Sequence, residues 1–151
     1  MLAHNRIMVL HGVNLDQLGS RDPEHYGSLT LAQLEQHIAG WAAELELETR
    51  FFQTNLEGEF VEQLHHSREL ADALILNPGA WTHYSWAIRD ALEIAGLPTV
   101  EVHLSDVMRR EEFRRVSVVG DLCVATVSGK GADGYREALE LLQRRLAESA
   151  A

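Results

Sequence analysis

Short apolar runs and longer stretches with helical spacing alternate along the chain from end to end. The runs are residues 7–10, 49–52, 73–76, 99–102 and 122–127. Most are continuously apolar rather than alternating, the pattern of parallel strands covered on both faces. Between them, residues 31–45, 60–70, 85–95 and 135–146 carry apolar side chains at helical spacing. Gly96 and Pro98 close the third of these in the order that ends a helix. Strand–helix alternation of this kind predicts a doubly wound α/β sheet of five parallel strands with helices on both faces. The strand order 2-1-3-4-5 is preferred, within one domain spanning residues 1–151. One connection is too long for an ordinary turn. Residues 11–28, HGVNLDQLGSRDPEHYGS, join the first strand to the first helix, and a segment of that length is a functional lid or unstructured.

Composition narrows the function classes. With 46% hydrophobic and 24% charged residues the chain has the make-up of a soluble globular protein, not of a disordered one. A formal net charge of -10 argues against a nucleic-acid partner, which needs a basic face. It leaves room for a small anionic substrate, since a local field can oppose the net charge. Cys123 is the sole cysteine, so an internal disulfide and a cysteine metal cluster are both excluded. Its apolar surroundings make a buried structural thiol the expectation rather than a nucleophile. The N-terminus has no apolar segment of signal-peptide length, and no run is long enough to span a membrane. A cytoplasmic protein without a membrane partner is expected.

Ligands of open α/β sheets bind beyond the carboxyl ends of the strands. The first strand leads into His11, Gly12, Val13 and Asn14; the third into Asn77, Pro78 and Gly79, then Thr82 and His83; the fourth ends in Glu101, Val102, His103, Leu104 and Ser105. Residues two apart on a strand share a face, so Glu101 and His103 lie side by side. A carboxylate next to an imidazole sets its tautomer and suits a general acid or base, although a structural ion pair has the same signature. In the long connection, Arg21 stands five residues before Tyr26. A phenol is a poor base unless a cation favours its ionised form. The alternative is a surface arginine and a packed tyrosine. Asn14 and Asn77 read equally as turn residues or ligand contacts. Thr82 is a candidate helix cap, which would place His83 at an anion-attracting helix N-terminus. Arg114 belongs to a charge run, Asp90 to an exposed helix face, and the His65–His66 pair to a solvated one. The GKGADG stretch lacks a dinucleotide fingerprint and reads as loop punctuation.

Taken together, these stretches resemble the type II 3-dehydroquinate dehydratases over nearly the whole chain. HGVNLDQLGSRDPEHYG is similar to that family's Asn-Gly-Pro-Asn-Leu-Asn-x-Leu-Gly-x-Arg-x-Pro-x-x-Tyr-Gly opening, and QTNLEGE to its Gln-Ser-Asn-x-Glu-Gly-Glu. NPGAWTHYSWAIRDAL and EVHLSDVMRREEFR follow two further family segments at the same spacing. The resemblance implies a flavodoxin-like fold and anti-elimination of water from 3-dehydroquinate, without metal or cofactor, in aromatic biosynthesis or quinate breakdown. It implies Tyr26 as base with Arg21 beside it, Asn14 holding a water on the enolate, and His103, oriented by Glu101, protonating the leaving hydroxyl. Asn77, the Leu104 and Ser105 backbone and the Ser105 side chain would hold the substrate carboxylate, with His83 and Arg114 on its hydroxyls. Asp90 would reach a neighbouring subunit's site within a homododecamer of stacked trimers. Departures from the pattern are His11, Val13, Asp16, Asp106 and Met108. They keep open the alternative of a catalytically weak paralogue that binds a related cyclic acid. A receiver-like or flavin-binding module is the other rival, but Asn14 and the Arg21/Tyr26 segment fit neither well.

Overall fold

The computed structural model describes residues 4–150. Five parallel strands form one sheet: β1 (Arg6–His11), β2 (Glu48–Gln53), β3 (Ala73–Asn77), β4 (Thr99–His103) and β5 (Ala125–Ser128). Their order is β2-β1-β3-β4-β5, as the alternation of elements predicts. The helices are α1 (Pro23–Tyr26), α2 (Leu31–Glu44), α3 (Glu57–Leu70), α4 (Trp86–Ala95) and α5 (Asp133–Ala150). No described helix is long and apolar enough to cross a membrane.

Successive strand residues point to opposite faces, and both faces are covered. Ile7, Val9, Ile75, Val100 and Val102 meet Leu34, Ile38 and Ala42 of α2 and Tyr135, Leu139 and Leu142 of α5. Met8, Leu10, Leu74 and Leu76 meet Phe60 and Leu64 of α3 and Ile88 and Leu92 of α4. This explains why the central strands read as unbroken apolar runs. Helix starts are set by local chemistry. Thr30 and Gln33 form a reciprocal capping box on α2. Ser85, not Thr82, caps α4 through the Ile88 amide, and α4 ends on left-handed Gly96 (φ 64°).

The fifth strand starts later than its apolar run predicts. Residues Gly120–Leu122 form a 3-10 turn, and Leu122 and Cys123 pack half-buried on the α3/α4 side instead of joining the sheet. The Cys123 thiol is pushed up to about 12, chiefly by burial, so it is not a nucleophile. The long connection is structured: a 3-10 turn at Leu15–Gln17 and then α1, whose Asp22 accepts from the Glu24 amide and whose Pro23 opens the helix.

The loops leaving β1 and β3 are clasped together. The Gly12 amide donates to the Asn77 carbonyl at 2.7 Å. A Cβ on Gly12 would lie 2.2 Å from the Pro78 carbonyl oxygen, and one on Gly79 (φ +65°) would lie 2.7 Å from that of Val13. Only glycine permits this approach. Gly12→Ala should therefore cost more than about 2 kcal/mol of stability, because backbone atoms must separate. Urea unfolding checks this, and a loss below about 0.5 kcal/mol, the usual range for a surface change, would show that the clasp yields freely.

Candidate active site

At the carboxyl ends of β1, β3 and β4 lies a cavity of about 110 Å³. The chain reverses strand order there, with β1 between β2 and β3, the place where open α/β sheets bind ligands. Its wall includes Asn14, Arg21, Tyr26, Asn77, His83, His103, Ser105 and Arg114. Residues scattered over a hundred positions of sequence are thus brought together. Leu104 is buried beside Ser105 and lines the adjoining small apolar pocket behind Tyr26. Asp90 does not line the cavity; it is exposed on α4.

The most heavily buried charge of the site is Glu101, with no exposed surface. Its Oε2 accepts from Thr82 Oγ1 and lies 2.6 Å from His103 Nε2; its Oε1 accepts from Ser117 Oγ at 2.8 Å and Thr126 Oγ1 at 3.3 Å. Burial pushes the carboxyl up, but these hydrogen bonds and the facing imidazole outweigh it and hold Glu101 below the usual carboxylate range. The pairing directs His103 Nε2 at Glu101 and leaves Nδ1 as the nitrogen free for a ligand. His83 is stacked on His103, with ring centroids 6.5 Å apart. It sits in a 3-10 turn (Gly79–His83) rather than at a helix N-terminus, so the helix-dipole expectation for it does not hold. Its Nδ1 lies 2.7 Å from the Val116 carbonyl, which fixes the proton there and frees Nε2. Burial, then the neighbouring His103 and Arg114, lower its proton affinity and favour the neutral ring.

On the long connection, Arg21 Nη2 donates to the Tyr26 hydroxyl oxygen at 2.7 Å, with its guanidinium 3.7 Å above the ring centre. A second cation meets the same oxygen: Arg110 Nη1 at 2.6 Å, also 3.3 Å from Ser105 Oγ. Two charged donors thus converge on one phenolic oxygen. Sequence reasoning singled out Arg21 and missed Arg110. Within MRREEFRR nothing separates Arg110 from Arg109; the fold does, leaving Arg109 87% exposed and turning Arg110 inward. Ser117 and Thr126 were equally invisible, and Thr82 was read only as a helix cap, because a hydroxyl gains this role only beside a buried carboxylate.

Asn14 adopts a left-handed conformation (φ 69°), as its turn reading allows, and its amide donates to Asn55 Oδ1 at 2.8 Å. Asn77 acts as the turn residue it was read as: its Oδ1 accepts from the Gly79 amide at 3.1 Å, and its Nδ2 reaches the Tyr135 hydroxyl at 3.5 Å. Arg114 is paired with Glu111 at the rim. No three His, Cys, Asp or Glu side chains among the described residues converge so as to hold a metal ion. The set therefore offers a cation-flanked phenol, a carboxylate-bound imidazole, and amide and arginine groups for an oxygen-rich anion.

Comparison with known proteins gives a consistent picture. The family described as "Dehydroquinase class II" matches residues 5–143. The 3-dehydroquinate dehydratase of Pelobacter propionicus is 50% identical over 135 residues, 89% of this chain and 91% of the relative. That of Thermotoga petrophila is 47% identical over 143 residues, 95% of this chain and 98% of the relative. The crystal structure of a type II dehydroquinase from Butyrivibrio crossotus superposes with a TM-score of 0.89 at 37% identity, covering 93% of this chain and 98% of that one.

Glu101 generates a prediction about pH. Its carboxyl is held below its ordinary value, so its ionised form adds stability above the unfolded-state value, and that contribution is lost as pH falls through the folded-state value. Ser117→Ala removes one donor and should cost about 1–3 kcal/mol near neutrality. In acid, where Glu101 is protonated in both proteins, the deficit should shrink to the part that comes from the Val119 and Gly120 amides, which also lose their Ser117 acceptor. Urea unfolding at both pH values checks this; an equal deficit at every pH would detach Ser117 from the charge of Glu101.

Proposed function

Because the chain belongs to the class II dehydroquinase family, we propose that it removes water from 3-dehydroquinate to give 3-dehydroshikimate, with Tyr26 as base and His103 as acid. The observation that carries this is the Tyr26 oxygen, held between Arg21 and Arg110, in the same cavity as His103. The proton next to the substrate ketone passes to the Tyr26 oxygen, and the electron pair of the broken C–H bond moves into an enolate. Asn14 holds a water on the enolate oxygen, a preorganised donor of the kind that stabilises such charge. The enolate then collapses, the C–O bond beta to the ketone breaks, and His103 gives its proton to the departing hydroxyl. Glu101 keeps His103 oriented. Asn77, Ser105 and the Leu104 and Ser105 backbone hold the carboxylate; His83 and Arg114 meet the hydroxyls. The two groups lie in different surroundings: two guanidiniums meet the phenol, and a carboxylate lies against the imidazole.

The product is a conjugated enone, so ultraviolet absorption after addition of 3-dehydroquinate tests the reading directly. Wild-type protein should raise the signal. Tyr26→Phe should abolish it while keeping the fold, and Arg21→Ala and Arg110→Ala should each lower turnover about 100-fold, the scale of lost acid–base support. A flat trace from folded wild-type protein would refute the assignment, and normal turnover by Tyr26→Phe would refute the base.

The protein acts in the cytoplasm as a dodecamer of stacked trimers, with Asp90 reaching the site of an adjacent protomer. Support comes from the exposure of Asp90 on α4, outside its own cavity, and from the exposed Tyr84, Trp86, Ile94, Phe113 and Val116, large apolar side chains of the kind an interface covers. If Tyr26→Phe and Asp90→Asn are each inactive, co-refolding them in equal amounts should restore activity. About a quarter of sites in a randomly mixed ring would hold both intact residues. Proven mixed oligomers without recovered turnover would place the action of Asp90 within its own subunit.

A further inference from the structure

One titratable group beneath the site takes no part in the steps above. His11, the last residue of β1, is fully buried, and among the described residues neither of its ring nitrogens has a hydrogen-bond partner. A polar ring kept from water needs compensation. The nearest candidate is Glu35 on α2, whose Oε2 lies 3.2 Å from His11 Nε2 and whose side chain is 27% exposed. Aromatic contacts hold the ring in place: Phe51 of β2 is parallel to it at 6.2 Å, and Tyr135 of α5 is tilted to it at 6.4 Å. Of these neighbours Glu35 and Tyr135 titrate, Phe51 does not, and the strand partner from β3 is Asn77.

Tyr135 connects this group to the cavity. It is fully buried, its phenol is pushed up to about 12 by burial and further by the Glu35 charge, and it accepts from Asn77 Nδ2 at 3.5 Å. His11 and Asn77 are paired across β1 and β3, so their side chains share one sheet face. A sequence of contacts, Glu35 to His11 to Tyr135 to Asn77, thus runs from the partly exposed face of α2 to the floor of the site.

We propose that His11, held by Glu35, is a positioning residue for the substrate subsite at Asn77, and that a proton on His11 weakens substrate binding without entering the chemical step. Protonation adds a second N–H to a ring for which the Glu35 carboxylate is the nearest acceptor. The ring then turns toward Glu35 and loosens Tyr135 over Asn77. The proposal rests on the dehydratase reading, because its readout is the KM for 3-dehydroquinate.

The test compares wild type, His11→Phe and Glu35→Gln in steady-state kinetics from neutral to acid pH. In the wild type KM should rise about tenfold on the acid side while kcat changes less than about threefold from this cause, the signature of lost uniform binding. His11→Phe keeps an aromatic ring between Phe51 and Tyr135 but has no proton to gain, so its KM should stay flat. Glu35→Gln, at a partly exposed position that tolerates the change, should move the KM rise to lower pH, because the imidazolium loses its counter-ion. The same displacement should appear in the histidine ring resonances by NMR. A wild-type KM that is flat in acid, the same rise in His11→Phe, or a Glu35→Gln profile and ring titration identical to wild type would overturn the proposal. Absence of turnover by folded wild-type protein would instead overturn the dehydratase reading.

Discussion

A carboxylate with no exposed surface cannot remain charged unless the protein replaces the water it has lost, and Glu101 imposes that requirement on everything around it. Burying such a charge costs several kcal/mol, and charge-assisted hydrogen bonds of roughly 1.5–3 kcal/mol each offset it. The donors come from separate parts of the chain: Thr82 after β3, His103 on β4 itself, Ser117 in the loop that follows, and Thr126 on β5. Satisfying one carboxylate therefore fixes four segments relative to one another. The segment around Ser117 is tied further, through Val118 to the Thr82 carbonyl and through Val116 to His83. Arg114 and the His83 turn hold their places at the cavity rim because Glu101 holds the segments that carry them.

The opposite side of the cavity is organised by positive charge. Arg21 and Arg110 approach one phenolic oxygen from segments 84 residues apart, Tyr26 to Arg110. A protein with a net charge of -10 thus builds a local cationic cluster where an anionic substrate is expected. The two halves differ in construction. The Glu101 side is rooted in sheet and buried; the Tyr26 side sits on a short helix and turns in the long connection, joined to the body by the Arg110 contact and by Leu15, Leu18 and Tyr26 packing on the core.

Between the halves, the floor depends on close backbone approach. Gly12 and Gly79 allow the β1 and β3 exits to touch, and Asn14 and Asn77 on these exits line one cavity. Tyr135 then supports Asn77 from α5, with His11 next to it. Cavity-lining residues are thus carried on main-chain segments that other side chains hold in place.

Much of this was legible in the chain itself. Continuous apolar runs such as 73–76, separated by helical spacing, determine a parallel sheet covered on both faces, because only that arrangement removes both sides of each strand from water. The i, i+2 relation of Glu101 and His103 follows from strand geometry alone. Motif order and spacing pointed to Tyr26, Arg21, Asn77 and their companions, and the fold brings most of these to one cavity. Other features arose only from tertiary packing. The start of β5 was decided by a turn that diverts Leu122 and Cys123 to the helix side, a choice that local hydrophobicity does not encode. Ser85 rather than Thr82 caps α4, because the 3-10 turn at Gly79–His83 delays the helix to Trp86 and leaves Thr82 to bind Glu101. Arg110, Ser117 and the Glu35–His11 pair acquire meaning from neighbours tens of residues away. Apolar periodicity is a local property and survives in the sequence. The worth of a polar side chain depends on burial and on its partners, and these exist only once the chain has folded.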